Sequence, residues 1–241
     1  VNPVFGYKRF SVNKDNYIFL ADNSRVSADI DLHADDGTGL QVFSNDSTEA
    51  QQDITVGLHN FELSKVMSVL PYLPDVSGVM NGDFHVIKTV ESLSVSSSVT
   101  VDNMVYEGSA IGNVGSEFVY MPLEDGTHYV DGTLECNGHD VGAISGSYNS
   151  EGEGSIDASL KLSRTPLNML NGFVDNQVIG FRGYCTGEMN VKGQLSHPHV
   201  DGSLALDSAY IVSTPYGVEL RFADTPVRIE DSRMRFDDFK M

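Results

Sequence analysis

Residues 193–206 read GQLSHPHVDGSLAL, and residues 88–101, 105 positions earlier, read KTVESLSVSSSVTV. Val200, Leu204 and Leu206 fall on Val95, Val99 and Val101, while Asp201 and Ser203 fall on Ser96 and Ser98. Apolar and polar residues that alternate with period two put one kind of side chain on each face of a β-strand. The same beat at two places in the chain predicts a repeated strand with one apolar face.

Working outward, Gly78–Gly112 lies on Gly183–Gly217 without a gap, so that Gly82 meets Gly187, Phe84 meets Met189 and Val86 meets Val191. Upstream the offset is 104: Ile30 and Leu32 fall on Leu134 and Cys136, and Asn45, Asp53 and Leu58 on Asn149, Asp157 and Leu162. A third copy begins where VRIEDSRMRF (227–236) echoes IFLADNSRVS (18–27). The expected organisation is one elongated β-rich unit over 1–241, with repeats at about 13–116 and 117–226 and the start of another at 227–241. Because the chain starts at Val1 and breaks off inside a copy, it is expected to be a fragment of a larger protein.

Each copy holds one helical pattern. Ser64–Leu70 places Val66, Val69 and Leu70 at i, i+3, i+4, with Ser64 as N-cap and Pro71 as the stop; Thr165–Val174 has Thr165 as cap, Pro166 at the first helical position, and Leu167 and Leu170 three apart. Turn pairs at Asp36-Gly37, Asn81-Gly82, Asp125-Gly126, Asn137-Gly138 and Tyr216-Gly217 predict antiparallel hairpins. At about 7 residues per strand, roughly 16 to 20 strands are expected.

The composition agrees: 23 glycines and no tryptophan, with 40% apolar and 20% charged residues. With 34 acidic and 15 basic residues the formal charge is -19, which repels phosphate backbones and argues against nucleic acid as a partner and against bulk adsorption to anionic lipid surfaces. No apolar run approaches the roughly 18 residues of a membrane-spanning helix, and no signal peptide opens the chain. Cys136 and Cys185 form no CxxC, and their spacing does not dictate a disulfide.

Residues that suggest chemistry have plainer readings. His197-Pro198-His199 could be a metal pair, but the proline opposes a regular strand, no third ligand is implied, and Ser92 and Ser94 occupy the matching positions; a turn or strand entry is expected and no metal. Asp29, Asp31, Asp35 and Asp36 miss the EF-hand spacing, because Gly37 comes too late after Asp31, and read as a solvated hairpin turn. Glu151 to Gly154 reads as a flexible polar loop. GxSxG, P-loop, GxGxxG and HExxH are absent, and the serine of Gly142-Ala-Ile-Ser-Gly146 is one place too late for a nucleophile elbow. Asn45-Asp-Ser47 fits a glycosylation sequon that is frequent by chance. No catalytic residues and no cofactor are predicted.

The order of strand, short helix, glycine-rich hairpin FRGYCTGEMNVKGQL (181–195), then HPHVDGSLAL (197–206), Tyr-Gly-Val (216–218) and a closing VRIEDSRMRF resembles the C-terminal repeat region of the TamB family, the inner-membrane component of the translocation and assembly module, within the AsmA-like group. The best match runs from about Leu160 onward, with GEMNVKGQLSHPHVDGSLAL (187–206) as its most recognisable beat. In the first copy Lys88 stands in place of Gly193, Val95 keeps the place of Val200, the proline is absent and Ser97 stands in place of Gly202. The resemblance implies a periplasmic, non-enzymatic protein anchored to the inner membrane by a segment outside these residues. It further implies a sheet curled into a gutter, phospholipid transfer between the inner and outer membranes, and assembly of outer-membrane β-barrel proteins with a barrel partner.

A sheet with one apolar face must cover it with another layer or with a ligand, and one short helix per repeat is too little. The expected fold is thus all-β: a repeated antiparallel sheet curled into a gutter, open barrel or sandwich. For a groove, the expected lining that meets phospholipid acyl chains is Phe84, Val86, Val95, Val99 and Val101 in one copy and Met189, Val191, Val200, Leu204 and Leu206 in the next. The alternatives are a structural or adhesive β-module with a closed core and no ligand, and a carbohydrate-active enzyme. The last needs carboxylates about 5 to 10 Å apart beside aromatic platforms, and the lack of tryptophan opposes it.

Overall fold

The beat at 200–206 lies inside the longest strand of the molecule, His197–Ser213, antiparallel to Gly180–Gln194 across a two-residue turn at Leu195 and Ser196. The computed structural model describes residues 2–5, 8–21, 25–45, 50–67, 75–90, 92–174, 178–213, 215–222 and 226–236. They form eighteen strands. Four are short and N-terminal: β1 (Val4–Phe5), β2 (Lys8–Arg9), β3 (Ser11–Val12) and β4 (Tyr17–Leu20). Then come β5 (Val26–His33), β6 (Gly39–Ser44), β7 (Gln52–Glu62), the helix α1 (Leu63–Met67), β8 (Val76–Lys88), β9 (Leu93–Tyr106) and β10 (Ser109–Pro122). The same succession follows with β11 (Thr127–Cys136), β12 (His139–Asn149), β13 (Ser155–Pro166), a 3-10 helix (Leu167–Phe173), β14 (Gly180–Gln194) and β15 (His197–Ser213). The chain closes with β16 (Val218–Arg221), β17 (Val227–Glu230) and β18 (Arg233–Phe236).

All but β1 and β2 belong to one 16-stranded antiparallel sheet in the order β18-β17-β15-β14-β13-β12-β11-β10-β9-β8-β7-β6-β5-β3, with β16 beside β15 and β4 beside β5. Its two ends do not meet, so the fold is an open all-β sheet rather than a sandwich or a closed barrel.

Matched positions carry matched irregularities. Pairing slips after Leu58 in β7 and after Leu162 in β13, where Asn60 (φ 51°) and Arg164 (φ 46°) are left-handed. It slips again at Gly78 in β8 and Gly183 in β14, and Asn103 in β9 and Ser208 in β15 have φ of 52° and 50°. An unpaired residue bends its strand and adds local twist. The bends are pinned by side chains: the Asn60 N–H donates to Asn81 Oδ1 at 2.9 Å, and the Arg164 N–H to Thr186 Oγ1 at 2.9 Å.

Where the strands bend, the sheet also curls. Asn171 in the 3-10 helix accepts the Phe181 N–H of β14 at 2.6 Å, and its Nδ2 lies 3.3 Å from the Phe181 carbonyl and 3.5 Å from Ser109 Oγ of β10. β10 and β14 are four strand spacings apart, about 19 Å in a flat sheet. One asparagine can reach both only because the sheet curves around it.

Most of the fully packed residues gather at this helical end, while Val227 and Ile229 of β17 are packed on the apolar face farther along. Leu63, Val76 and Val101 form one cluster with Met80 and Met104, and Ile111, Cys136 and Val141 form another under Met169. Phe10 stacks on Phe61 with centroids 6.5 Å apart. Elsewhere the sheet is thinly covered. The accessible surface is 15050 Å², whereas a compact monomer of 26.2 kDa would expose about 10,600 Å².

Several local expectations are corrected. Asn81-Gly82 is no turn: it lies mid-strand in β8, where Gly82 has φ 157° and a Cβ would strike the Ser98 carbonyl of β9. Gly187 repeats this geometry against Ser203, so the shared glycine serves close strand approach. Helix α1 starts at Leu63, straight from β7, leaving Ser64 inside it; Val69, Leu70 and Pro71 lie outside the described residues. Thr165 and Pro166 still belong to β13, and the helix after them is 3-10 with no side-chain cap, because the Thr165 hydroxyl donates to the Val141 carbonyl. Leu170 is 44% exposed, and Met169 makes the core contact instead.

Candidate functional site: a half-buried apolar face

Cross-strand register places all ten predicted lining residues on one face. Val86 stands opposite Val95, Val99 opposite Gly82 and Val101 opposite Met80; Phe84 faces Ser97. In the later strands Val191 faces Val200, Leu204 faces Gly187, Met189 faces Gly202 and Leu206 faces Cys185. Val101 is buried, and the other nine are half-buried.

The two groups are joined by residues that were not among the ten expected to line the face. One row crosses the sheet as Leu40, Leu58, Gly82, Val99, Ser116, Leu134, Gly142, Leu162, Gly187, Leu204 and Val227, each opposite the next. A parallel row includes Val42, Val56, Phe84, Phe118, Ile144, Leu160 and Met189. Most of the added positions obey the same period-two rule, and Leu58, Leu134 and Leu162 among them already matched across the two copies. Opposed side chains are about 4.5–5.5 Å apart, so each row is a largely apolar track perpendicular to the strands, interrupted by Ser116 and three glycines in the first and by Ser97 and Gly132 in the second. Ile144 within it is 42% exposed.

The opposite face is mainly polar, with Val119, Met121 and Tyr129 as exposed exceptions. Ser96, Ser98, Glu117, Asp131, Ser145, Lys161, Glu188 and Asp201 occupy it in register. Its ion pairs, such as Lys192–Asp157 at 3.4 Å, are solvent-exposed and contribute little. Asp53 and His85 form a tighter pair there, with Nε2 to Oδ1 at 2.8 Å, and Asn45 Nδ2 reaches the same oxygen at 3.1 Å. His85 first and Asn45 second hold the Asp53 carboxyl below its ordinary value.

Away from the helices the apolar face ends in amphipathic rings. Tyr120 Oη lies 2.7 Å from His128 Nδ1, and His128 stacks on Tyr148 at 4.6 Å. Desolvation, then hydrogen bonding with Tyr148, pushes the Tyr120 phenol up.

The residues that suggested other chemistry stay apart. His197 and His199 are exposed at the entry of β15, His199 standing 3.6 Å from Asp231, and no group of three or more metal-ligating side chains occurs among the described residues. Asp35 and Asp36 lie in the β5–β6 turn, where Lys8 binds Asp36 at 2.7 Å. Cys136 and Cys185 are buried free thiols, and burial raises the pKa of each. No helix among the described residues is long and apolar enough to cross a membrane.

No family model, no curated protein and no solved structure matches this chain.

Proposed function

We propose that this chain is part of a non-enzymatic periplasmic scaffold of the TamB and AsmA-like type, anchored to the inner membrane by a segment outside these residues. Its apolar face carries phospholipid acyl chains between the inner and outer membranes or serves β-barrel assembly with an outer-membrane partner. The observation that supports this reading is the row from Leu40 to Val227, in which apolar side chains are interrupted only by glycines and Ser116 and are half-buried as far as Leu204, on a sheet whose ends do not meet. Apolar surface left in water costs about 25 cal/mol per Å², which a lipid tail would relieve. A purely structural module with a closed core fits less well, because among the described residues no second layer lies over the middle of the rows.

The test is a photo-crosslinking amino acid at Leu204 or Val99 in the chain expressed in the periplasm, followed by mass spectrometry of the adducts. Phospholipid adducts at both sites, and none at outward Ser203, are expected. Equal labelling of both faces, or protein adducts alone, would count against lipid carriage.

A further inference from the structure

The helical end is sealed under β5–β8 but split under β11–β14. In the first region Phe61 follows the β7 bend and stacks on Phe10, while Lys8 Nζ reaches Thr38 Oγ1 at 2.7 Å and Glu62 Oε1 at 3.3 Å. The Thr38 hydroxyl donates to the Asn60 carbonyl at 3.2 Å and ties the β5–β6 turn to β7. In the second region the residue after the β13 bend is Thr165, a smaller side chain whose hydroxyl is held by the Val141 carbonyl. Pairing of β12 with β13 stops at Gly142 and Leu162, although β11–β12 continues to Cys136 and His139 and β13–β14 to Pro166 and Tyr184. Beyond that point the ladder gives way to a side-chain bond, from the Thr165 hydroxyl to the Val141 carbonyl, and a cleft of 770 Å³ lies between the β11–β12 tip, the end of β13 and the start of β14. That volume suits a small-molecule site, typically about 300–1,000 Å³.

The cleft is amphipathic. Ile111, Cys136 and Val141 line it and belong to the apolar cluster that continues to Val114 and Leu134. Its other lining includes Arg164 and Arg182, with His139 and Asp140. Arg164 lies 4.6 Å above the Tyr184 ring and 2.9 Å from Asp207, yet its side chain is 66% exposed. Arg182 is exposed, and its guanidinium makes no hydrogen bond or ion pair with a described residue. In a chain with only 15 basic residues against 34 acidic ones, two guanidinium groups beside an apolar floor are a local exception.

We infer that this cleft is a loading site for an anionic phospholipid, taking the phosphate at Arg182 and the first acyl carbons on Ile111 and Val141. The inference rests on the lipid-carrying reading and places the step at which lipid joins the apolar face. A guanidinium presents a planar fork of donors that matches phosphate oxygens. Asp207 already occupies one side of Arg164 and Asp140 opposes a second negative charge, so Arg182 is the principal contact.

The experiment is ¹⁵N shift mapping on the 241-residue chain titrated with dihexanoyl-phosphatidylglycerol below its micelle concentration, with hexyl glucoside and inorganic phosphate as separate titrants. Shifts centred on residues 139–141, 163–166 and 182–184 are expected for the phospholipid, at least tenfold weaker binding for hexyl glucoside, and none for phosphate. R182Q should weaken phospholipid binding about tenfold, the loss of one charge-assisted bond. T165F, which installs the aromatic found at Phe61, should block the cleft. R182Q leaves the core intact, so it decides the matter if T165F fails to fold. Unchanged affinity in R182Q, equal binding of hexyl glucoside, or equal binding of phosphate alone would overturn the assignment. Lipid adducts at Leu204 with a neutral R182Q would sink the loading site and spare the apolar-face reading; cleft shifts without such adducts would do the reverse.

Discussion

Leu204 and Val141 are both apolar and both face inward, but their surroundings differ. Val141 is 3% exposed within a packed cluster, whereas Leu204 is half-buried opposite Gly187 and Val227. Leu204→Asp should therefore cost about 1 kcal/mol, part of a leucine's full burial, because the carboxylate can turn to water. Val141→Asp buries an unpaired charge and should cost several kcal/mol or prevent folding. Urea unfolding of both variants checks this, and a Leu204→Asp chain that does not fold would mean that a closed core covers the face. At this scale the sequence was legible where phase alone decides: Val95, Val99, Val200 and Leu204 were placed on one face by alternation. Asn81-Gly82 was misread because an Asn-Gly pair suits both a tight turn and a strand position crowded by a neighbouring backbone, and only the pairing partner tells them apart.

Among the elements, the β1–β2 hairpin depends on charge to stay docked. Lys8 has a side chain only 14% exposed, 2.7 Å from Asp36 and 3.3 Å from Glu62. Lys8 and the Thr38 amide hold the Asp36 carboxyl well below the ordinary range, while Lys65 and Lys8 lower that of Glu62. Burial opposes the charge on Lys8, but the two carboxylates outweigh it and raise its pKa. A depressed carboxyl stabilises the fold above its unfolded pKa of about 4 and loses that contribution as pH falls through its folded value. A raised lysine contributes fully below about 10.4 and loses its contribution as pH rises through its folded value. The stability difference between wild type and Lys8→Met should accordingly be constant from pH 5 to 9 and close below about pH 4 and above about pH 10.5, read from thermal midpoints across the series. A gap unchanged at pH 3 would show that Lys8 acts through its aliphatic stem. Strand existence was legible from periodicity, yet the helix starts were not. Ser64 and Thr165 have cap-forming side chains, but β7 runs directly into α1 and the Thr165 hydroxyl is taken by Val141. Such competition is tertiary and leaves no local sequence signal.

For the whole molecule, antiparallel pairing and an apolar face could be read from the repeat, but openness could not, since the same alternation would suit two stacked layers. What decides it is which strands form the edges among the described residues: β18 at one end and β3 with β4 at the other. Fourteen strands along the main path, with neighbours spaced by about 4.8 Å, span about 62 Å from the first strand axis to the last before curvature. A compact 241-residue domain has a radius of gyration of about 18 Å. The open sheet should exceed about 20 Å by small-angle X-ray scattering at low concentration, with the asymmetric distance distribution of a curved slab. A value near 18 Å would mean that the sheet closes on itself in solution. The apolar rows would then be an ordinary core, and both the carriage of lipid along them and its loading beside Arg182 would lose their physical basis.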